Sequence, residues 1–269
     1  MPFSTAEIAS FTAMLALLCF LAYRIRALDG PGTLAGGIVG WVIFYVGGLK
    51  WFIVLIFFFL ASSLLTRYRY NEKRSIGCAQ DKEGARGWRN VLANGGVALV
   101  FSLNEFAFGG DIYAAAFLGS VAAAFADTLG TEVGLLSKSL PRHILSPFRK
   151  AIPGESGAVS VLGLFASLTG AISVGCLSIV TGLVGKSPFS LVFAVLVGGF
   201  GGAIFDSLLG STIQGAGECT VCGKQTESLN HHGKTTRHLW GIRLFENNVV
   251  NFVSTALGAV ITASIFTIL

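Results

Sequence analysis

Eight apolar stretches, separated by polar loops, leave this chain few ways to fold: Ile8 to Tyr23, Thr33 to Gly48, Trp51 to Leu65, Val91 to Phe108, Ile112 to Leu129, Ala158 to Val184, Phe189 to Ile213 and Val249 to Leu269. Each has roughly the length a helix needs to cross a bilayer, about 20 residues. Within hydrocarbon every backbone polar group must be paired internally, which admits only helices or closed barrels. Barrel strands alternate apolar and polar residues, and runs such as Phe52 to Leu60 do not. The expected fold is therefore all-α: a polytopic membrane helical bundle of about eight transmembrane helices. It forms a single integral membrane domain over residues 1–269, with loops 66–90, 131–157 and 214–248. A composition of 53% hydrophobic and 12% charged residues fits a lipid-facing surface better than a water-soluble one.

The basic residues set the topology. With eight spans, the loops Arg24 to Gly32, Thr66 to Asn90, Thr131 to Gly157 and Gln214 to Asn248 share one side and hold seventeen of the nineteen Lys and Arg residues. Only Lys50 and Lys186 lie opposite. Positive loops stay cytoplasmic, so both termini are expected outside. The first span lacks a basic segment before it and is followed by Arg24 and Arg26, which marks a retained anchor rather than a signal peptide. In a prokaryote the host bilayer is the cell membrane. The net charge of +5 is explained by this asymmetry and calls for no nucleic-acid partner.

Charged groups inside spans are costly, so they are functional candidates. Glu105 sits near the outward end of the fourth span, where interfacial solvation accounts for it. Asp127 and Asp206 sit near the cytoplasmic ends of the fifth and seventh spans, in similar stretches: Phe125-Ala-Asp127-Thr128-Leu-Gly130 and Phe205-Asp206-Ser207-Leu-Leu-Gly210. This is a weak internal repeat. Ser120 and Asp127 share a helix face, as do Asp206, Gly210 and Gln214. Glu132, five residues beyond Asp127, points elsewhere on a straight helix, and a bend at Gly130 is expected to bring it back. Two helix C-termini, each with a carboxylate, suit a hard divalent cation such as Mg2+.

Anion-binding chemistry is expected at the same face. Arg149-Lys150 and the turn Pro153-Gly154-Glu155-Ser156-Gly157 directly precede the sixth span, whose positive dipole end points at the acids. Arg86, Arg89 and Asn94 surround the start of the fourth span, and Asn247, Asn248 and Asn251 the start of the last. Gly185-Lys186-Ser187 and Gly233-Lys234-Thr235 mimic the end of a P-loop but lack the glycine five residues before. Among five cysteines, Cys219 and Cys222 form a CxxC pair followed by His231, His232 and His238, a pattern that suits a structural Zn2+ as well as reduced thiols on a polar loop.

The ordered series Gly84-Ala-Arg86-Gly-Trp-Arg89-Asn-Val-Leu-Ala-Asn94-Gly, Asp127-Thr128 through Glu132-Val-Gly134, Pro153 through Gly157, Asp206-Ser-Leu-Leu-Gly210 through Gln214, and Asn247-Asn248-Val-Val-Asn251 resembles the membrane family that contains plant phytyl-phosphate kinase and transmembrane protein nineteen. It is more distantly similar to polyprenol kinases and CDP-diacylglycerol synthases. The resemblance implies a kinase converting a prenyl monophosphate, of phytyl or geranylgeranyl type, to the diphosphate with CTP as donor. It implies that Asp127, Glu132 and Asp206 hold Mg2+, that Lys150 and residues 153–157 receive the donor triphosphate, and that Arg86 and Arg89 hold the acceptor phosphate. Ser120, Thr128, Ser207, Gln214, Asn94, Asn248 and Asn251 complete the expected site. His232-Gly233 stands where many family members have Cys-Gly, so His232 joins Cys219 and Cys222 as a candidate zinc ligand. A CTP-dependent cytidylyltransferase would use the same groups, and a transporter or channel would also carry intramembrane acids and broken spans.

Overall fold

The computed structural model describes residues 3–80, 82–184, 188–223, 225–226 and 230–269. Lys186 and the Gly185-Lys186-Ser187 segment lie outside them. Among the described residues, eight helices are long and apolar enough to cross a membrane: α1 (Thr5–Arg24), α2 (Gly30–Gly47), α3 (Leu49–Arg67), α5 (Trp88–Phe108), α6 (Asp111–Gly134), α7 (Val161–Thr181), α8 (Pro188–Thr212) and α9 (Asn247–Ile268). A short helix, α4 (Tyr70–Ser75), and a 3-10 turn over Lys82–Gly84 fill the loop between α3 and α5.

Local chemistry fixes the helix ends. The Ser4 hydroxyl accepts from the Glu7 amide while the Glu7 carboxylate accepts from Ser4, a reciprocal capping box for α1. Asp29 caps α2 by accepting from Gly32 N, with Pro31 in the first turn. Gly48, at φ +80, ends α2 and starts α3 in one residue. On this side Lys50 Nζ donates to the Gly182 carbonyl at the end of α7 (2.9 Å). That bond joins the α2–α3 turn to the α7–α8 turn, as the eight-span parity requires.

Helix α6 is the axis of the bundle and packs on α3, α5, α7, α8 and α9. Every residue from Ala114 to Ala126 is buried, the signature of a helix covered on all sides. Lipid tails are as apolar as leucine, so burial alone gains little here and association rests on close packing of small residues. Gly258 of α9 illustrates this: a Cβ there would lie 2.6 Å from Ala123 Cβ and 3.1 Å from the Gly198 carbonyl of α8. The large exposed residues, among them Leu34, Leu64, Phe165, Val180 and Phe193, lie on spanning helices and form a lipid-facing surface.

The loops of the basic face carry short strands that the apolar pattern did not announce. Strands β1 (Arg142–His143), β2 (Ser146–Lys150) and β3 (Ala158–Val159) form an antiparallel sheet in the order β2-β1-β3. Between α8 and α9, β4 (Ala216–Glu218), β5 (Gln225–Thr226) and β8 (Arg237–Trp240) pair in the order β5-β4-β8, and β6 (Asn230–His231) pairs with β7 (Lys234–Thr235). These strands are two to five residues long and mostly exposed, so no hydrophobic alternation marks them.

Candidate functional site at the basic face

At this face α6 and α8 end, α7 and α9 begin, and a cavity of about 180 Å3 opens between them. Asp127, Gly130, Thr131 and Gly134 of α6 line it together with Asp206, Ser207, Gly210 and Gln214 at the end of α8. Gly154 through Ser160 close one side and Asn247 another. The two aspartates, 79 positions apart in the sequence, thus line one space. Two helix C-termini contribute negative dipole ends with carboxylates, and two N-termini contribute positive ends, so a cation and an anion find complementary charge in one place.

Individual contacts tune the site. Asn251, with its amide nitrogen turned to the carboxylate, donates to Asp206 Oδ2 (3.1 Å) and to the Asn247 carbonyl (3.0 Å). Ser160 caps α7 by accepting from Gly163 N (3.0 Å) and donates to the Gly134 carbonyl of α6 (3.3 Å). Gln214 is 2% exposed, and its Nε2 has no hydrogen-bond partner among the described residues. A buried donor left unpaired costs about 1–3 kcal/mol, which marks it as a group awaiting an acceptor in the cavity it lines. Gly157, at φ +75, lays its backbone directly on Ser207 and Ser211 of α8; any side chain there would collide with the Ser211 hydroxyl. Glu155 is engaged within its own loop, accepting from Ile152 N (3.0 Å) and facing His143 Nε2 at 3.5 Å.

The remaining expected residues lie elsewhere. Helix α6 runs unbroken through Gly130 to Gly134. Gly130 instead lets α7 approach, with Ser167 occupying the space a side chain would need. Glu132 consequently stays on another face, five residues and about 140° round from Asp127 at about 100° per residue. It is buried in an ion pair with Lys73 Nζ (2.6 Å), and Gln80 Nε2 donates to it at 3.3 Å. Lys73 also donates to the Leu65 carbonyl (2.7 Å), covering the last turn of α3. Ser120 and Thr128 spend their hydroxyls on the carbonyls of Phe117 (2.7 Å) and Ala124 (2.9 Å), and neither lines the cavity. Lys150 is exposed on β2 and is not among the lining residues. Asn248 is half-buried beside Asn247.

A second cavity, about 90 Å3 and mostly apolar, lies among α1, α2, α3 and α5. Leu15, Leu18, Val39, Phe52 and Phe59 contribute apolar walls, and Arg86, Asn90 and Asn94 supply the polar groups. Asn94 Nδ2 donates to the Asn90 carbonyl (3.0 Å). Arg86 is tied by its backbone to Ala27 (3.0 Å) and Asp29 (3.1 Å) in the α1–α2 connection. Burial pushes its guanidinium down to about 10, an effect that nearby Glu132 opposes, so Arg86 keeps its charge at neutral pH. Arg89 pairs with Glu246 (3.1 Å), next to Asn247, and stacks over Trp88. Lys73 and Gln80 carried no signal in the sequence: their shared partner Glu132 lies 59 and 52 positions away.

These features define an integral membrane protein with a polar cavity for charged groups at its basic face and an apolar cavity among its first helices. The chain matches the integral membrane protein family DUF92 over residues 13–259 and belongs to it. It is 31% identical to Protein PGR of Arabidopsis thaliana over 92% of each chain. It is 30% identical to the uncharacterized membrane protein MJ0933 of Methanocaldococcus jannaschii over 75% of this chain and 82% of that one. A third relative, Protein VTE6, chloroplastic, of Arabidopsis thaliana, is 22% identical over 88% of this chain and 65% of its own length. No solved structure matches.

Proposed function

We propose that the protein is a membrane phosphotransferase that converts a prenyl monophosphate to its diphosphate at the basic face, using a nucleoside triphosphate as donor. The observation that carries this reading is the meeting of Asp127, Asp206, the buried Gln214 amide and the 153–157 turn in one cavity. The motif resemblance to prenyl-phosphate kinases favours CTP as donor and phytyl or geranylgeranyl phosphate as acceptor.

In the transfer, an oxygen of the ionised acceptor phosphate attacks the donor's γ-phosphorus. The bond between that phosphorus and the bridging oxygen breaks, and the nucleoside diphosphate leaves with the electron pair. The acceptor oxygen is already anionic, so no base is required, and positioning with charge neutralisation supplies the rate. The donor set of Asp127 and Asp206 is hard oxygen and fits Mg2+, which when bound neutralises phosphate charge. Asn251 orients the Asp206 carboxylate. Gln214 Nε2 and the N-terminal end of α7 offer donors to phosphate oxygens. The apolar cavity suits the prenyl tail, with Arg86 charged at its polar end. Glu132 serves by holding Lys73 and the α3–α5 loop to α6.

The test is incubation of purified protein with CTP, Mg2+ and phytyl phosphate, followed by mass spectrometry, with Asp206→Asn as control. Prenyl diphosphate and CDP are the expected products. A CDP-lipid with pyrophosphate would replace the kinase by a cytidylyltransferase. Absence of both products, with substrate flux in proteoliposomes, would establish a carrier instead.

A further inference from the structure

The loop between α8 and α9 has a small core among its described residues. Across residues 216–240, Gly217, Cys219 and Thr236 are the buried residues among those whose burial is described. Its strands are two to four residues long, and β8 is exposed throughout. Segments with so small a core usually need a covalent or metal staple. Cys219 and Cys222 are not joined in a disulfide.

The geometry points to a zinc ion bound by Cys219, Cys222 and His232. Their ligand atoms all lie within 4.8 Å of one another. Zinc holds Cys sulfur at about 2.3 Å and His nitrogen at about 2.0 Å in a tetrahedron, which spaces ligand atoms about 3.3–3.8 Å apart. Rotamer adjustments cover that difference. Two backbone features aim the ligands. After Cys219, Val221 N donates to Cys219 Sγ (3.3 Å) and Gly223 N to the Cys219 carbonyl (2.9 Å). This curls the turn round the sulfur. Across from it, the β6–β7 hairpin turns through His232 at φ 54 and Gly233 at φ 72. Such two-residue turns favour Asn-Gly; a histidine in the left-handed position spends conformational energy to present an imidazole to the two thiols.

Two sulfurs and one nitrogen select a borderline-soft divalent ion over Mg2+ or Ca2+. The consequence reaches the cavity. Gln214 pairs with Ile242 beyond the far end of the same loop, and Gly215 N donates to Phe245 O (3.0 Å). Zinc therefore fixes the base from which Gln214 and Asn247 enter the cavity, while taking no part in chemistry there.

Elemental analysis of the full-length protein in detergent is expected to give close to one zinc per chain. After exchange with Co2+, thiolate-to-cobalt charge-transfer and tetrahedral ligand-field bands are expected. Cys222→Ser, at an exposed position that folding tolerates, loses the charge-transfer intensity. His232→Asn keeps the turn but weakens Co2+ binding by at least the roughly 10- to 100-fold that loss of a supporting second-shell group costs. Chelation increases amide hydrogen exchange in 216–240 and spares α6. Stoichiometric zinc in Cys222→Ser, or neither zinc nor a cobalt spectrum in metal-replete wild-type protein, overturns the assignment. None of these readouts depends on phosphotransfer.

Discussion

The two carboxylates near the C-terminal end of α6 stand about 1.4 turns apart and live in different regions of the molecule. Asp127 lines the polar cavity shared with α7, α8 and α9. Glu132 is 3% exposed and locked to Lys73, with Arg86 and the apolar cavity of the α1–α3 and α5 half nearby. One carboxylate borders a cavity; the other is held in a buried ion pair. The lesson is that an acid in a membrane helix is informative only together with what faces it.

Breaking the internal pair should have the largest effect on stability. Glu132→Gln leaves Lys73 buried without a counter-charge, a loss of about 3–5 kcal/mol, read as a lowered unfolding midpoint in detergent. The double change Glu132→Leu with Lys73→Met recovers most of it. Wild-type stability with abolished turnover in Glu132→Gln would instead place this group with Asp127. On the cavity side the signature reverses. Asp127→Asn or Asp206→Asn is expected to cut phosphotransfer roughly 100- to 1,000-fold, as removal of one preorganised electrostatic group does, with a smaller fall in the midpoint than Glu132→Gln. Full turnover in both variants rejects the metal assignment.

Smaller effects sharpen the contrast. Leu18→Trp narrows the apolar cavity and raises KM for a long prenyl phosphate by about tenfold, equivalent to roughly 1.4 kcal/mol, while a short-chain acceptor is affected less. Gln214→Leu removes one donor to phosphate, a loss of about 1 kcal/mol in binding. Its effect on stability is small, because Nε2 has no partner among the described residues. Glu105→Gln, at the opposite end of α5, leaves turnover within about twofold, the scatter of a surface change.

Much of this was readable from residue order. Span number and loop charge force Asp127 and Asp206 to one face, because helices of the same parity end on the same side. The cavity confirms their meeting. Glu132 was expected to join them through a bend at Gly130; α6 runs unbroken through that glycine, which serves α7 packing, and Glu132 pairs with Lys73. Sequence offers no signal for Lys73 as its partner, since the two are joined only through tertiary packing across 59 positions. The hairpins of the α6–α7 and α8–α9 loops were missed because strands so short and exposed have no periodicity to display.

The sheathing of α6 carries a consequence for biogenesis. The chain is made from its N-terminus, and α7, α8 and α9, which cover much of α6, are synthesised after it. Until they arrive, α6 waits in contact with lipid, a stage its run of alanines makes inexpensive to leave. The cavity that Asp127 lines is therefore complete only once α7, α8 and α9 are in place.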